Sequence, residues 1–490
     1  MRRGLLALSM LAACGAEEGE QAAEPSEARE FPIFVTERRG SAVEQGLEAL
    51  AQDAWRRELR FMDALDPGYA FRVNRPRYDE LGTRFGPQAW FTMGGQLFTM
   101  AFTEAMGFGG DDLPAMSRFH FGERGGPDSR RCSACHWRGG PAGAGDAADN
   151  AFFRGDGRTE ASALVRNPPA LFGAGWKQRV AQEMTANLQQ LRDDAVDFAR
   201  SRGEEVRLQL QTHGVDFGLL VIAPDGSVDE AGLEGIDPDL VVKPFGWKGT
   251  FTDLRDVVED AANVHHGMQS TWLAANEDAA RVGEGPPEDP DGDGVEDELS
   301  DAQVAVMTMF VAMQDVPVDV PPLESDLVLL YSRGRNDFEA LGCAQCHTPS
   351  LPIEDTEYTL PGREGDPDLS FDLLTVAAEP RLEPDTLTGE LAVPLYSDLK
   401  RHAMGEALAE SRDDADVLAD QFITPPLWGI ARTRPYLHDG RAPTLEDAIL
   451  LHGGEAQASR DAFAAMGEPE RAPLRVFLTS LTRGERLTTP

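Results

Sequence analysis

Two segments of the chain place two cysteines and a histidine at the same spacing: Cys132-Ser133-Ala134-Cys135-His136 and Cys343-Ala344-Gln345-Cys346-His347. Two thiols three positions apart can add to the two vinyl groups of one haem, and the histidine that follows can coordinate its iron. A structural zinc site needs four converging ligands, and each segment offers three. The chain has five cysteines, an odd number that suits a disulfide framework badly. The spacing therefore predicts two covalently bound haem c groups. Gly334, Phe338 and Gly342 precede the second motif at the spacings expected of the first helix of a class I cytochrome c unit. The first motif follows a Gly- and Arg-rich loop over residues 122–131 and has no such lead-in.

What occupies the sixth position on each iron decides between chemistry and pure electron transfer. Of nine histidines, His136 and His347 are already assigned, leaving His120, His213, His265, His266, His402, His438 and His452. Met404 lies 57 positions after His347, a distance at which class I units place their second ligand. Near the first motif the candidates are His266 and Met268 in Val264-His265-His266-Gly267-Met268-Gln269. Trp247 is a candidate relay between the haems, against a bland role in packing. A different chemistry is written in Asp289-Pro290-Asp291-Gly292-Asp293-Gly294-Val295-Glu296-Asp297. Asp289, Asp291, Asp293 and Asp297 stand at the first, third, fifth and ninth positions of a calcium loop, and Ser300 replaces the usual twelfth-position glutamate. Ca2+ is expected there, more weakly held than in a full EF-hand.

The elements that must position these residues are mainly helical. Periodicity predicts helices over residues 41–65, 176–203, 251–276, 301–314 and 323–341, and further helices in the last 45 residues, broken near Gly453-Gly454 and Gly467. Alternation over residues 206–210 and a run over 219–223 ending in Pro224-Asp225-Gly226 predict a small β-hairpin insertion. Residues 316–322 hold three prolines and read as a linker. The expected fold is thus mainly α, with two cytochrome c-like lobes over residues 41–315 and 323–490 and long loops.

Forty-five Lys and Arg against 84 Asp and Glu give a formal charge of −39. That excludes a basic groove for nucleic acid and a polybasic membrane patch. Residues 5–13 form an apolar run after Met1-Arg2-Arg3, too short to span a bilayer. Leu11-Ala12-Ala13-Cys14 has the form of a lipobox, so residues 1–14 read as a lipoprotein signal ending at a lipidated Cys14, and residues 15–40 as a flexible acidic tether. The expected location is the periplasmic side of the cell envelope, at the outer membrane, with the lipid as the one membrane contact.

The C-terminal part carries an ordered set of segments: Pro394-Leu395-Tyr396-Ser397-Asp398-Leu399, His402-Ala403-Met404-Gly405, Thr424-Pro425-Pro426-Leu427-Trp428-Gly429, Pro435-Tyr436-Leu437-His438-Asp439-Gly440 and His452-Gly453-Gly454-Glu455-Ala456. Upstream stand Arg166-Asn167-Pro168-Pro169-Ala170-Leu171-Phe172-Gly173 and Phe245-Gly246-Trp247-Lys248. With these, residues 115–482 resemble the bacterial di-haem oxidoreductase family, also labelled thiol oxidoreductase-like and related to the di-haem cytochrome c peroxidases. No cysteine remains for thiol exchange. The resemblance implies that the distal ligand of the C-terminal haem lies 14 residues after His438, which is His452, where the peroxidase relatives carry Met or Tyr. It also implies a methionine near the N-terminal iron, where Met268 stands, and an interface calcium. The implied activity is reduction of peroxide or another small oxidant at the haem of His136, the catalytic residue. The C-terminal haem would relay electrons from a small redox protein or a quinol-linked donor. The alternatives are a non-catalytic di-haem electron carrier and a peroxide-dependent oxidase of a protein partner. Denatured protein should retain two haems per chain in a pyridine haemochrome assay; recovery of zinc without covalent haem would remove the whole reading.

Overall fold

The computed structural model describes residues 76–103, 106–108, 128–153, 162–276, 297–317, 321–363, 365–376 and 388–483, with a few single residues between. Cys14, the signal, the tether, the helix expected over 41–65 and Asp289, Asp291 and Asp293 lie outside the described residues.

A short helix α1 (Tyr78–Thr83) leads into α2 (Pro87–Thr99), which begins with proline in its first turn. The first cysteine motif follows, then a two-stranded ribbon of β1 (Ala151–Phe153) and β2 (Leu164–Arg166). The long helix α3 (Ala174–Arg202) stops at Gly203, whose φ of 68° is a left-handed cap that glycine adopts at little cost. The insertion is three antiparallel strands, β3 (Val206–Thr212), β4 (Val215–Ile222) and β5 (Val228–Leu233), one strand more than the expected hairpin. The single helix expected over 251–276 is two. Helix α4 (Leu254–His266) ends at Gly267, φ 72°, and Ser270 caps a second short helix, α5 (Thr271–Ala275), by accepting from the amide of Leu273.

Helix α6 (Asp301–Ala312) opens with a Ser300/Gln303 capping box, and every residue from Ala302 to Ala312 is buried. Its Met- and Val-rich sequence has no polar face because it has no solvent face. Helix α7 (Ser325–Ala340) leads directly into the second cysteine motif. Small antiparallel ribbons follow: β6 (Leu351–Ile353) with β9 (Leu391–Val393), β7 (Glu357–Leu360) with β8 (Leu369–Asp372), and β10 (Arg401–Ala403) with β11 (Gln421–Ile423). Helices α8 (Leu445–Leu451), α9 (Gln457–Ala464) and α10 (Glu468–Ser480) complete the chain, broken at the glycines marked in the sequence.

Two helix crossings organise these elements, and they are alike. On α7, Gly334 lies against α10 so closely that an added Cβ would collide with the Pro473 carbonyl and stand 2.9 Å from the Phe477 Cβ. On α2, Gly94 lies against α6 in the same way, its absent Cβ facing the Val306 carbonyl and standing 2.7 Å from the Phe310 Cβ. Four residues after each glycine comes a phenylalanine, Phe338 or Phe98, whose ring packs on the same partner: Phe338 to Phe477 at 5.3 Å, Phe98 to Phe310 at 5.0 Å between centroids. The first motif therefore does have a lead-in helix. It escaped notice because 33 residues separate Phe98 from Cys132, whereas four separate Phe338 from Cys343.

The apolar interior forms two clusters. The smaller joins α7, α10 and Phe463 of α9 with Tyr396 and Leu427. The larger runs from Tyr78 to Trp428 and includes α6 together with Leu351, Leu360, Leu391 and Leu399. Segments after the proline linker thus share a core with segments before it. Gly94→Ala and Gly334→Ala should each destabilise the fold by about 1–3 kcal/mol, because overpacking at the crossing outweighs the gain in helix propensity. Thermal unfolding of the holoprotein checks this; an unchanged or raised midpoint would refute the close crossing.

Candidate haem sites and the cavity between them

The crossings set the proximal side of each motif. Phe98 stands 6.2 Å from the ring of His136, and Phe338 stands 6.4 Å from that of His347, centroid to centroid. His136 Nδ1 donates to the carbonyls of Pro169 at 3.0 Å and Gly143 at 3.2 Å, and His347 Nδ1 donates to the Tyr396 carbonyl at 3.0 Å. A carbonyl can only accept, so the proton is on Nδ1 and the lone pair is on Nε2, the tautomer that binds a metal. Burial pushes both imidazoles down to about 4, so they are neutral at pH 7. None of the four motif cysteines is in a disulfide. Burial pushes the Cys132 thiol up to about 12 and that of Cys343 up to about 11, which opposes the thiolates a zinc site requires.

A cavity of about 400 Å³ runs continuously from Cys132 and His136 to Cys343, Cys346 and His347. Its walls are overwhelmingly apolar, as is usual for a cofactor site. The residue set fits two haem c groups: Cys132 and His136 open on one end of the shared apolar space, with Cys135 next to His136 in the motif, and Cys343, Cys346 and His347 open on the other.

The two ends differ across from the proximal histidine. His452, at the C-cap of α8, donates from Nδ1 to the Ala448 carbonyl at 2.7 Å, and its ring lies 6.5 Å from that of His347. Metal–nitrogen bonds of about 2.0 Å, plus the distance from each Nε2 to its ring centre, put two histidines on one iron roughly 6.3 Å apart. The spacing observed suits a shared iron. Met404 also lines the cavity. At the other end, no second histidine ring stands opposite His136 among the described residues. Leu254, Val257, Val258, Ala261 and Ala262, on or beside one face of α4, line the cavity there.

His266 also reaches the cavity, with Nδ1 donating to the Ser129 carbonyl at 2.8 Å and Nε2 3.4 Å from the Cys132 sulfur. Burial pushes it down to about 4. Met268 is not brought there. Gly267 ends the helix and turns the chain, the Met268 amide bonds back to the Ala262 carbonyl, and its side chain is fully buried in the core. Asp297, the described member of the expected calcium loop, is exposed.

Two arrangements had no clear signal in the sequence. His402 is clamped by Asp398, 2.8 Å from Nε2, and Glu455, 2.7 Å from Nδ1, with the Cys346 sulfur 3.8 Å away. Burial opposes its charge, but the hydrogen bonds to Asp398 and the Cys346 sulfur, with the charge of Asp398, raise it. Cys346, Asp398 and His402 are close enough to surround a cation, yet a protonated imidazole bonded at both nitrogens has no lone pair to give. The second arrangement ties Arg166 and Lys248 to the C-terminal half. Arg166 pairs with Glu410 and Asp414, and Lys248 Nζ lies 3.2 Å from Glu410. Lys248 also donates to the carbonyls of Leu418, Ala419 and Gln421 at 2.9 Å each. His438 stacks on Phe422 at 4.3 Å and is pushed down to about 2 by burial and by the nearby cations, Arg166 first. Trp247 lines the cavity and donates to the Asn167 carbonyl at 2.8 Å.

Residues 302–481 match the model of the family described as "Di-haem oxidoreductase, putative peroxidase". This family is the one the sequence motifs resemble; the match spans 180 of the 490 residues and holds the second cysteine motif. Among solved structures, the chain is similar to hydrazine synthase of Kuenenia stuttgartiensis pressurised with xenon, with 17% identity and a TM-score of 0.23. It is also similar to a MauG-like protein associated with microbial copper homeostasis, with 20% identity and a TM-score of 0.21. Each match covers 37% of this chain and 56% of the other, so the chain spans little more than half the length of either. No curated protein matches.

His452→Ala should convert one iron from low-spin to a form with a high-spin signal, while the haem of His136 is unaffected. An unchanged spectrum, with the low-spin signal lost in Met404→Ala instead, would transfer the ligand role to Met404.

Proposed function

We propose that the protein is a di-haem c oxidoreductase that reduces peroxide at the haem held by Cys132, Cys135 and His136, with the haem of Cys343, Cys346 and His347 relaying electrons. The observation that carries this reading is the asymmetry of the one cavity. His347 faces a second histidine with the same tautomer, a pairing that closes an iron to substrate and suits electron transfer. His136 faces no such ring among the described residues. Bound haem would supply an iron that accepts and releases single electrons.

The chain's own residues do the rest. The carbonyls of Pro169, Gly143 and Tyr396 hold the proximal imidazoles in the ligating tautomer. The apolar face of α4 restricts water at the His136 end. Peroxide reduction consumes two electrons and two protons to give two waters, so a second haem that stores an electron nearby suits it. Trp247, which lines the cavity, is a candidate to shorten the path. The electron donor is a small redox protein or a quinol-linked carrier, and the envelope location rests on the Cys14 lipobox. Release of Cys14→Ser protein from membranes would support that anchor.

The half- or fully reduced protein should bind carbon monoxide at the His136 haem and react quickly with peroxide. Both properties should vanish in His136→Ala while the spectrum of the other haem survives. If neither iron binds carbon monoxide in any redox state and peroxide oxidises both only slowly, the protein is a di-haem electron carrier instead.

A further inference from the structure

The cavity walls carry few charges. Among the described residues, Lys177 and Arg460 are the Lys and Arg side chains that line it. Arg460 is paired with Asp461 at 2.7 Å, and protonated His402 is held between two carboxylates. Lys177 has no acidic partner among the described residues; its Nζ lies 4.7 Å from the centroid of the Phe245 ring. It sits in the first turn of the 29-residue helix α3, at the positive end of the helix dipole, where a cation is disfavoured. Burial alone already pushes its ammonium down to about 8. The Phe245 ring favours the charge only weakly, so a half-buried lysine here is costly to ionise unless something brings a negative charge to it.

The proposed cofactor brings such charges. Each haem carries two propionates, so loading both motifs adds four carboxylates to a space with very few free cations. Lys177 lines that space, and its neighbours in sequence tie it to segments that run to the His136 end. The next residue, Gln178, accepts from the Leu254 amide and donates to Asp253 at the start of α4. The far end of α4 carries His266 beside Cys132. Phe172, just before α3, packs next to Gly139, three residues after His136.

We propose that Lys177 is the counter-ion of a propionate of the haem attached at Cys132 and Cys135. This rests on the di-haem reading and adds a residue that fixes and tunes the substrate-facing haem. The ion pair is formed only on loading: the propionate restores the lysine's charge, and the ammonium offsets the cost of burying the carboxylate. Its positive charge also favours the reduced iron, which carries one positive charge fewer.

The test is made on the holoprotein with Lys177→Met and Lys177→Arg. In Lys177→Met the midpoint potential of the His136 haem should fall and its propionate-bending band in resonance Raman should shift. Lys177→Arg should restore both, and the His347 haem should not change. The carbon monoxide stretch of the reduced protein should stay the same in all three. Loss of the first haem in Lys177→Met with retention in Lys177→Arg would also support the pairing, as a requirement for loading. An unchanged potential and Raman band would overturn the proposal. So would a shifted carbon monoxide stretch with the propionate band unmoved, because the amine would then face the iron itself. A haemochrome count below two in the unaltered protein would instead overturn the di-haem reading beneath it.

Discussion

The structure depends on two places where helices come too close to admit a side chain. At Gly94 and at Gly334 the helix backbone lies directly on the carbonyl and the phenylalanine of its partner. That approach lets a phenylalanine one turn later reach past the crossing and stand over the proximal histidine. The rest follows in order. The crossing fixes the aromatic ring, and nearby backbone carbonyls fix the histidine's tautomer. The histidine's free nitrogen then defines where a metal can sit. A methyl group at either glycine would push the helices apart and loosen every later step, which is why local helix propensity is sacrificed there.

One cavity serves both motifs because the chain is interlocked around it. Arg166 and Lys248, from the first half, reach Glu410, Asp414 and a row of carbonyls in the second. Asn150 donates to the Asp439 carbonyl, and the Asn167 amide to that of His438. Buried ions are a poor source of net stability, since desolvation consumes much of their attraction, but they penalise any docking that leaves one unpaired. They therefore act here as a specification of register. The two motifs must face one shared space, since shifting either half would leave Glu410 without Arg166 and Lys248.

Much of this was legible. The long helix ending at 203 and the helix breaks after residue 450 follow from local chemistry, and the structure agrees; the two cysteine motifs are read from their spacing. His452 was reached through family resemblance, and its ring does lie opposite His347. The repeat was not legible, because Gly94-to-Phe98 and Gly334-to-Phe338 share a spacing too short to stand out, and 33 residues of sequence separate the first from its motif. Met268 and His266 could not be separated by sequence. Only the turn at Gly267 sends one to the core and the other to the cavity wall. Lys177 reads as an ordinary charge near a helix start, and only the three-dimensional surroundings leave it without an acidic partner among the described residues.

The contrast between the two ends of the cavity can be traced to how each chain segment returns past its motif. After the second motif the chain comes back through α8, whose last turn stops at His452, so the C-cap residue points a ring where the helix can no longer continue. After the first motif it comes back through α4, which lies lengthwise along the cavity and lines it with Val257, Val258, Ala261 and Ala262. A helix end can present one long polar side chain, whereas a helix flank presents a row of short apolar ones. The same kind of glycine crossing thus stands with two different surroundings across the cavity from the motif histidines, among the described residues. Division of labour between the two ends needs only this difference in how the returning helix is set, and the proximal histidines can remain chemically alike.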